Sequence, residues 1–307
     1  MMKKAIYYGI RDVRVVDVPE PEPGPGQVKV KVKYCGICGS DLHEYLHGLF
    51  PESPFGHEAT GVVVDVGSGV QGYKAGDRVY AMTPGSYAEY TVCPQDRLIK
   101  LSSDMDWTRA TVLEPLAGAA YAIDRGGVKA DDGVFIAGAG PVGLMILLGL
   151  KAMGLKNIYM SEIMEKRRKK AEELGATMVW NPREVKSPLK IKELTAGRGV
   201  DVAIEAVGIE QTLKDCLASA CYRGKVIVQG IFTERAQVHM LGFVTRETTM
   251  YGTNSVNPEL ALKWLRSSDI RPESIVTSVI PLKAITQRGF DVLAAKSEDE
   301  IKILVEP

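Results

Sequence analysis

The stretch that decides the fold is Val134-Phe-Ile-Ala-Gly-Ala-Gly-Pro-Val-Gly-Leu-Met-Ile-Leu-Leu-Gly-Leu-Lys151. An apolar run of strand length, Val134 to Ala137, leads into Gly138-Ala-Gly-Pro-Val-Gly143 and then into a helical stretch, Val142 to Met153. In such a G-x-G-x-x-G run the first glycine, Gly138, permits a tight turn, and the second, Gly140, lets the backbone approach a pyrophosphate. The third, Gly143, lets the helix pack closely on the strand, while Pro141 and Val142 open a helix whose N-terminus offers free N–H groups. The motif is weak alone, because methyltransferases and chance loops also match it. The context that gives it force is an acid about 20 residues further on, closing a second strand. Glu162 sits 19 residues after Gly143, behind Ile158-Tyr-Met160, where a carboxylate would accept hydrogen bonds from an adenosine ribose. The same charge would repel the 2′-phosphate of NADP, so NAD is the expected cofactor. Arg167 and Arg168 are the counter-signal, since a nearby arginine can receive that phosphate. The plain structural alternative for Glu162 is a solvated acid at a helix N-terminus.

The same region, Gly133 to Leu150, is 18 residues without a charge, long enough to raise the question of a membrane span. The glycines and Pro141 in its middle argue instead for a buried strand, turn and helix. Downstream, short apolar strands keep alternating with helical stretches: Asn157 to Met160 then Glu165 to Leu174, Val200 to Glu205 then Gln211 to Ala220, Gly224 to Gln229, and Thr248 to Gly252. That alternation predicts a parallel sheet covered on both faces. A helix over Pro258 to Arg266 opens the tail.

Upstream of about Ala110 the pattern is β-rich. Gln27-Val-Lys-Val-Lys-Val-Lys33 alternates strictly, and Ala59 to Val66 and Ser86 to Val92 read as further strands between glycine-rich turns. The Pro- and Gly-rich run Pro19 to Gly26 reads as a stiff surface loop.

With 307 residues the chain has room for about two domains. It carries 38 Lys and Arg against 38 Asp and Glu, so no global charge draws it to nucleic acid or an anionic membrane. Five cysteines are too few and too scattered for a disulfide framework, and a reducing, cytoplasmic setting is expected; no signal peptide is read at the N-terminus.

Three further contexts carry chemistry: Tyr34-Cys-Gly-Ile-Cys-Gly-Ser-Asp-Leu-His43, Gly56-His-Glu58 and Val112-Leu-Glu-Pro-Leu116. A catalytic zinc takes three Cys, His or carboxylate ligands and keeps a fourth position open. Read residue by residue, each is ambiguous: a lone His is more often a satisfied polar residue, and Cys35-x-x-Cys38 suits a redox pair as well as half of a four-cysteine site.

Taken together, these residues make the chain resemble the zinc-dependent medium-chain dehydrogenase/reductase family of the alcohol dehydrogenase superfamily, in its polyol branch of butanediol, sorbitol and threonine dehydrogenases. The resemblance rests on Cys38-Gly-Ser-Asp-Leu-His-Glu44, Gly56-His-Glu58, Gly76-Asp-Arg-Val79, Glu114-Pro-Leu116 and the Gly138 to Gly143 run. It continues through Gly199-Val-Asp-Val202, Glu205-Ala-Val-Gly208, Ile280-Pro-Leu282 and Lys302-Ile-Leu-Val305, nearly the full length. It implies an α/β protein with a GroES-like β-rich catalytic domain, residues 1–118 and 256–307, and a Rossmann doubly wound parallel-sheet domain, 119–255, that binds NAD.

By position, the resemblance implies a catalytic zinc held by Cys38 and His57, with Glu58 and Glu114 as the carboxylates, either of which is the third ligand. Ser40 matches the hydroxyl that touches the substrate oxygen, His43 the outer member of a proton relay, and Asp41 a residue that orients His57. The cofactor contacts are Gly138, Gly140, Pro141, Val142, Gly143, Glu162 and Arg167. The implied reaction is reversible oxidation of a secondary alcohol to the ketone, the alcohol being a vicinal diol, a polyol or an amino alcohol such as 2,3-butanediol or threonine. The alternatives are a zinc-free quinone or enone reductase of the same superfamily, or an inactive nucleotide-binding protein. Tyr251 matches a substrate-side tyrosine of sorbitol-type enzymes, but Met250 stands where those carry arginine, which favours a small diol. The expected partners are a small alcohol or ketone and further copies of the chain, as a dimer or tetramer.

One departure stands out. Relatives carry a lobe with four cysteines and a structural zinc between the strand at Gly76 to Val79 and the next one; here only Tyr80-Ala-Met-Thr-Pro-Gly85 joins them. One zinc per chain is therefore expected, with no structural zinc.

Overall fold

Alternation and turn chemistry shape the first elements. The hairpin of β1 (Met2–Gly9) and β2 (Asp12–Val18) stands as its own two-stranded antiparallel sheet. The alternating segment becomes β3 (Gln27–Gly36), and α1 (Gly39–His47) follows directly. Then come β4 (Glu58–Val66), β5 (Arg78–Ala81), β6 (Tyr90–Pro94), β7 (Leu98–Lys100) and α2 (Trp107–Thr111). The computed structural model describes residues 1–49 and 55–307. It divides into two units, one of Met1–Glu114 with Val276–Pro307 and one of Pro115–Ile275, the first boundary falling inside α3 (Leu113–Arg125).

The second unit alternates strand and helix as its sequence demands: β8 (Val134–Ala137), α4 (Pro141–Ala152), β9 (Ile158–Ser161), α5 (Glu165–Glu173), β10 (Met178–Trp180) and α6 (Ser187–Leu194). It continues with β11 (Val200–Glu205), α7 (Glu210–Ser219), β12 (Ala220–Val228), α8 (Met240–Thr245), β13 (Thr249–Gly252) and α9 (Pro258–Ser267). The six strands are all parallel, in the order β10-β9-β8-β11-β12-β13. The chain thus reverses direction across the sheet between β8 and β11, and in open sheets of this kind ligands bind outside the carboxyl ends of the strands at that point.

Helix α4 is buried on every side from Gly143 to Leu150, which explains the uncharged 18-residue run. No helix among the described residues is long and apolar enough to cross a membrane. Residues 256–275, expected with the catalytic domain, lie in the second unit. There the Trp264 ring of α9 sits so close to α4 that a methyl group on Gly149 would fall 2.7 Å from it.

The first unit resumes with β14 (Val276–Pro281), α10 (Asp291–Ala294) and β15 (Lys302–Glu306). Its seven-stranded sheet runs β14-β15-β3-β4-β5-β7, with β6 also pairing β3. In this register Gly36 of β3 faces Glu58 of β4 on one side and Leu304 of β15 on the other. Two segments remote in sequence therefore meet at one end of β3. The strand expected over Ser86 to Val92 begins only at Tyr90. Its first residues are engaged elsewhere: Ala5 N–H of β1 donates to Tyr87 O, Glu89 N–H donates to Lys3 O, and Ser86 donates its N–H to Gly56 O and its hydroxyl to Thr83 O.

Candidate active site

Cys38 is the N-cap residue of α1, in extended backbone, so its thiol stands at the mouth of the helix. His57 enters β4 from Gly56, whose φ of 79° is a left-handed conformation that glycine adopts without strain. Glu58 is the first residue of β4 and is fully buried. One ligand atom each from Cys38, His57 and Glu58 lies within 4.8 Å of the others. A thiol, an imidazole and a carboxylate converging at that separation could together hold a metal ion, and their types are those a catalytic zinc takes.

Glu114 lies outside this trio but close enough to act on it. Burial raises its carboxyl above the ordinary range, the nearby Glu58 charge adds to the shift, and His57 and Lys302 oppose it. His57 shows the reverse balance. Burial pushes its imidazole down, but the hydrogen bond and charge of Cys38, then Asp41 and Glu114, carry it up to about 11. The rise at His57, against burial, records negative groups gathered around one spot, while the rise at Glu114 comes first from burial and only then from Glu58.

The charge of Glu58 is met by Lys302 of β15, whose ammonium lies 2.5 Å from it with both side chains at most 2% exposed. The same ammonium donates to Ile37 O at 2.9 Å. Apart from Lys302, the Glu58 carboxylate meets no donor among the described residues. Asp41 is also buried. It accepts from Gly56 N–H at 3.1 Å, Cys38 N–H at 3.3 Å and the Tyr87 hydroxyl at 2.7 Å, and one of its oxygens lies 3.7 Å from His57 Nδ1. Tyr80, also fully buried, leaves its hydroxyl without a partner among the described residues in the same negative surroundings.

Ser40 and His43 follow Cys38 on α1, three residues apart and so on one face of the helix. His43 Nδ1 is buried and has no hydrogen-bond partner among the described residues. Burial, and secondarily the His47 side chain, hold the His43 imidazole below its ordinary value. It is therefore neutral at pH 7 and able to accept a proton.

In the second unit, Gly138 carries φ 105° and Gly140 is the N-cap residue of α4, with Pro141 in its first turn. A methyl group on Gly143 would fall 2.1 Å from Gly138 O, so only glycine lets the helix approach the turn this closely. Glu162 directly follows β9 and is 8% exposed. It does not project freely: one oxygen accepts from Ala139 N–H and the other from Met164 N–H, both at 2.9 Å. Each oxygen has a further lone pair that a ribose hydroxyl could use. The Arg167 guanidinium lies 3.7 Å from where a methyl group on Gly140 would sit, whereas Arg168 is turned to the carbonyls of Glu162 and Ile163.

Sequence reasoning gave no role to Tyr80, Tyr87 or Lys302. Only Lys302 left a trace, as a lone cation in the apolar run Ile301 to Val305. Glu205, quoted from the sequence only as part of a motif, is fully buried at the end of β11. One of its oxygens gathers Val207 N–H, Gly208 N–H and the Thr212 hydroxyl, which pins the turn into α7. Tyr251 lies on β13 under the Arg125 guanidinium, 5.1 Å from its ring centre.

Comparison with known proteins agrees with both halves of this picture. Residues 24–103 match the alcohol dehydrogenase GroES-like domain, and residues 141–267 match the zinc-binding dehydrogenase family. The chain is 34% identical to (R,R)-butanediol dehydrogenase of Bacillus subtilis strain 168, covering all of both sequences. That alignment spans 348 positions against 307 residues here, which leaves 41 positions with no residue of this chain. An alcohol dehydrogenase of Escherichia coli CFT073, solved with NADH, superposes with a TM-score of 0.90 at 25% identity, covering 100% of this chain and 99% of that one. A protein described as a zinc-binding dehydrogenase of Sinorhizobium meliloti 1021, solved with NADP, superposes with a TM-score of 0.85 at 27% identity and the same coverage.

Proposed function

This chain belongs to the zinc-type alcohol dehydrogenase family and is an oxidoreductase, and on that premise we propose that it oxidises a small secondary alcohol to the ketone using one zinc ion and NAD. The substrate class we assign is a vicinal diol, with polyols and amino alcohols such as threonine next. The observation that carries the reading is the convergence of Cys38, His57 and Glu58 within 4.8 Å. Those three residues would hold the zinc, with Glu114 as the carboxylate in reserve.

When bound, the zinc would withdraw charge from the alcohol oxygen and the nicotinamide would accept the hydride. The remaining work falls to the chain's own side chains. The Ser40 hydroxyl would take the alcohol proton and hand it one helical turn outward to the neutral imidazole of His43. Asp41 would fix the ring of His57 through its Nδ1 side. In the second unit, Gly138, Gly140, Val142 and Gly143 would present backbone N–H groups to the pyrophosphate, with Pro141, which has no N–H to offer, starting the helix and Arg167 beside them. Glu162 would take the adenosine ribose and disfavour a 2′-phosphate.

The eight residues between β5 and β6 leave no room for a four-cysteine lobe, and the five cysteines are all unpaired thiols. We therefore assign one zinc per chain and a reducing cytoplasmic setting; the family resemblance alone leads us to assign a homo-oligomer, dimer or tetramer, which sedimentation would read. The deciding experiment follows NADH absorbance with butanediol, threonine and sorbitol, each with and without a chelator, and repeats the best substrate with NADP. Chelator-sensitive turnover of butanediol with NAD is expected. Full turnover in metal-free protein would refute the zinc role, and equal rates with NADP would refute the cofactor preference.

A further inference from the structure

We propose that Tyr87 is a positioning residue for His57, acting through Asp41, so that the short connection between β5 and β6 helps to shape the metal site. This deepens the zinc reading and rests on it.

The inference starts from a buried phenol. Tyr87 has no exposed surface, and its one hydroxyl proton has two acceptors in reach: Asp41 Oδ2 at 2.7 Å and Gly36 O at 3.1 Å. The shorter, charge-assisted bond to the carboxylate is the stronger of the two. Asp41 thereby divides its oxygens. Oδ2 is fixed by Tyr87 and by Cys38 N–H, while Oδ1 accepts from Gly56 N–H and faces His57 Nδ1 at 3.7 Å. Without the phenol, Oδ2 would keep only the long bond from Cys38 N–H, and the carboxylate could rotate away from the imidazole.

The ring acts on the same turn from a second direction. A methyl group on Gly56 would fall 2.7 to 2.9 Å from the Tyr87 ring, so the ring lies directly against the backbone that delivers His57. Gly85 N–H and Ser86 N–H donate to Phe55 O and Gly56 O, each at 3.1 Å, which laces the segment to that backbone. The ring itself is held edge-on by Phe55 and Phe290. Packing alone would be served equally well by phenylalanine. What the hydroxyl adds is a direction for Asp41, and groups one step removed from a metal typically govern its affinity about ten- to a hundred-fold.

The test uses the full chain, stripped of metal and reloaded with Zn²⁺ or Co²⁺. In Tyr87→Phe, zinc affinity measured against a chromogenic chelator is expected to fall about ten- to a hundred-fold. The visible bands of the cobalt form should shift, and NADH binding should stay at the wild-type value. Affinity within two-fold of wild type together with superposable cobalt spectra would overturn the inference and leave the zinc reading standing. A folded wild-type chain that takes up neither metal would overturn both. If Tyr87→Phe does not fold, Tyr87→Trp and Asp41→Asn carry the test, both being expected to shift the cobalt bands. Where Tyr87→Phe does fold, adding it to Asp41→Asn should weaken zinc no further than Asp41→Asn alone. Additive losses would mean that Tyr87 acts by another route.

Discussion

In the unit of Met1–Glu114 and Val276–Pro307 the candidate site is a knot of ionisable side chains: Cys38, Asp41, His57, Glu58 and Lys302, largely out of solvent. In the unit of Pro115–Ile275 it is a turn of glycines and backbone N–H groups, with Glu162 resting one oxygen on Ala139 N–H of that turn and the other on Met164 N–H. The first arrangement depends on partners, because a buried charge without one costs several kcal/mol. The second depends on space, because its chemistry comes from N–H groups that any side chain would cover. The two should therefore fail differently when they are changed.

The largest effect is expected from removing a ligand. Cys38→Ser or His57→Ala should abolish turnover while NADH still binds, as fluorescence titration would show; turnover near wild type in either variant would break the contrast. Gly143→Ala should do the converse. Its methyl group would meet Gly138 O at 2.1 Å, so the turn must open, and dinucleotide binding should be lost while the zinc content measured by metal analysis is kept.

Next comes the buried ion pair. Lys302→Met strands Glu58 without a partner and should cost about 3–5 kcal/mol in urea unfolding of the metal-free protein. Pairing it with Glu58→Gln should recover part of that loss. A cost below about 1 kcal/mol would mean that the pair is solvated.

The smallest effect concerns His43. Its imidazole is held below the ordinary value of 6.5, first by burial and then by His47. The unfolded chain therefore binds this proton more readily than the folded one. The stabilising effect of the neutral ring is complete above about pH 6.5 and is lost as pH falls through the folded value. The acid limb of the pH–rate profile should lie below 6.5. His47→Gln should move it upward by a fraction of a unit, since the burial effect remains; no movement would assign the limb to another group.

The glycine site was legible because its demands fall on consecutive residues. Gly138 and Gly143 are each required by a local close approach, Gly140 leaves the helix mouth uncovered, and Glu162 follows at the spacing of one strand–helix–strand unit. The knot of side chains was legible only in part. Cys38, His57 and Glu58 stand in recognisable contexts, yet nothing local to Tyr87 announces Asp41, 46 residues away. The alternation of Ser86 to Val92 reads as a strand, and the hydrogen bonds that hold its first half elsewhere run to Gly56 and to Lys3 and Ala5 of β1. Helix α1 was hidden for a related reason: Cys38-Gly-Ser40 opens it with weak helix formers, and its start is fixed by the Asp41 carboxylate on Cys38 N–H. Propensity reports what a residue does alone, and these residues act through partners supplied by the fold.

The pairing of Lys302 with Ile37 and Glu58 also bears on how the molecule is made. Lys302 is synthesised 265 residues after Ile37, after all of Pro115–Ile275 has been translated. Until then β3 lacks the neighbour it will have in β15, and Glu58 is an acid without its counter-ion. Residues of β3 and β4 are thus translated long before they reach their final state. A nascent chain interrupted anywhere in Pro115–Ile275 would carry the candidate site unfinished, and a ribosome-stalling series on a chain extended at its C-terminus, read with a metal-sensitive probe, would watch that site close only as β15 emerges.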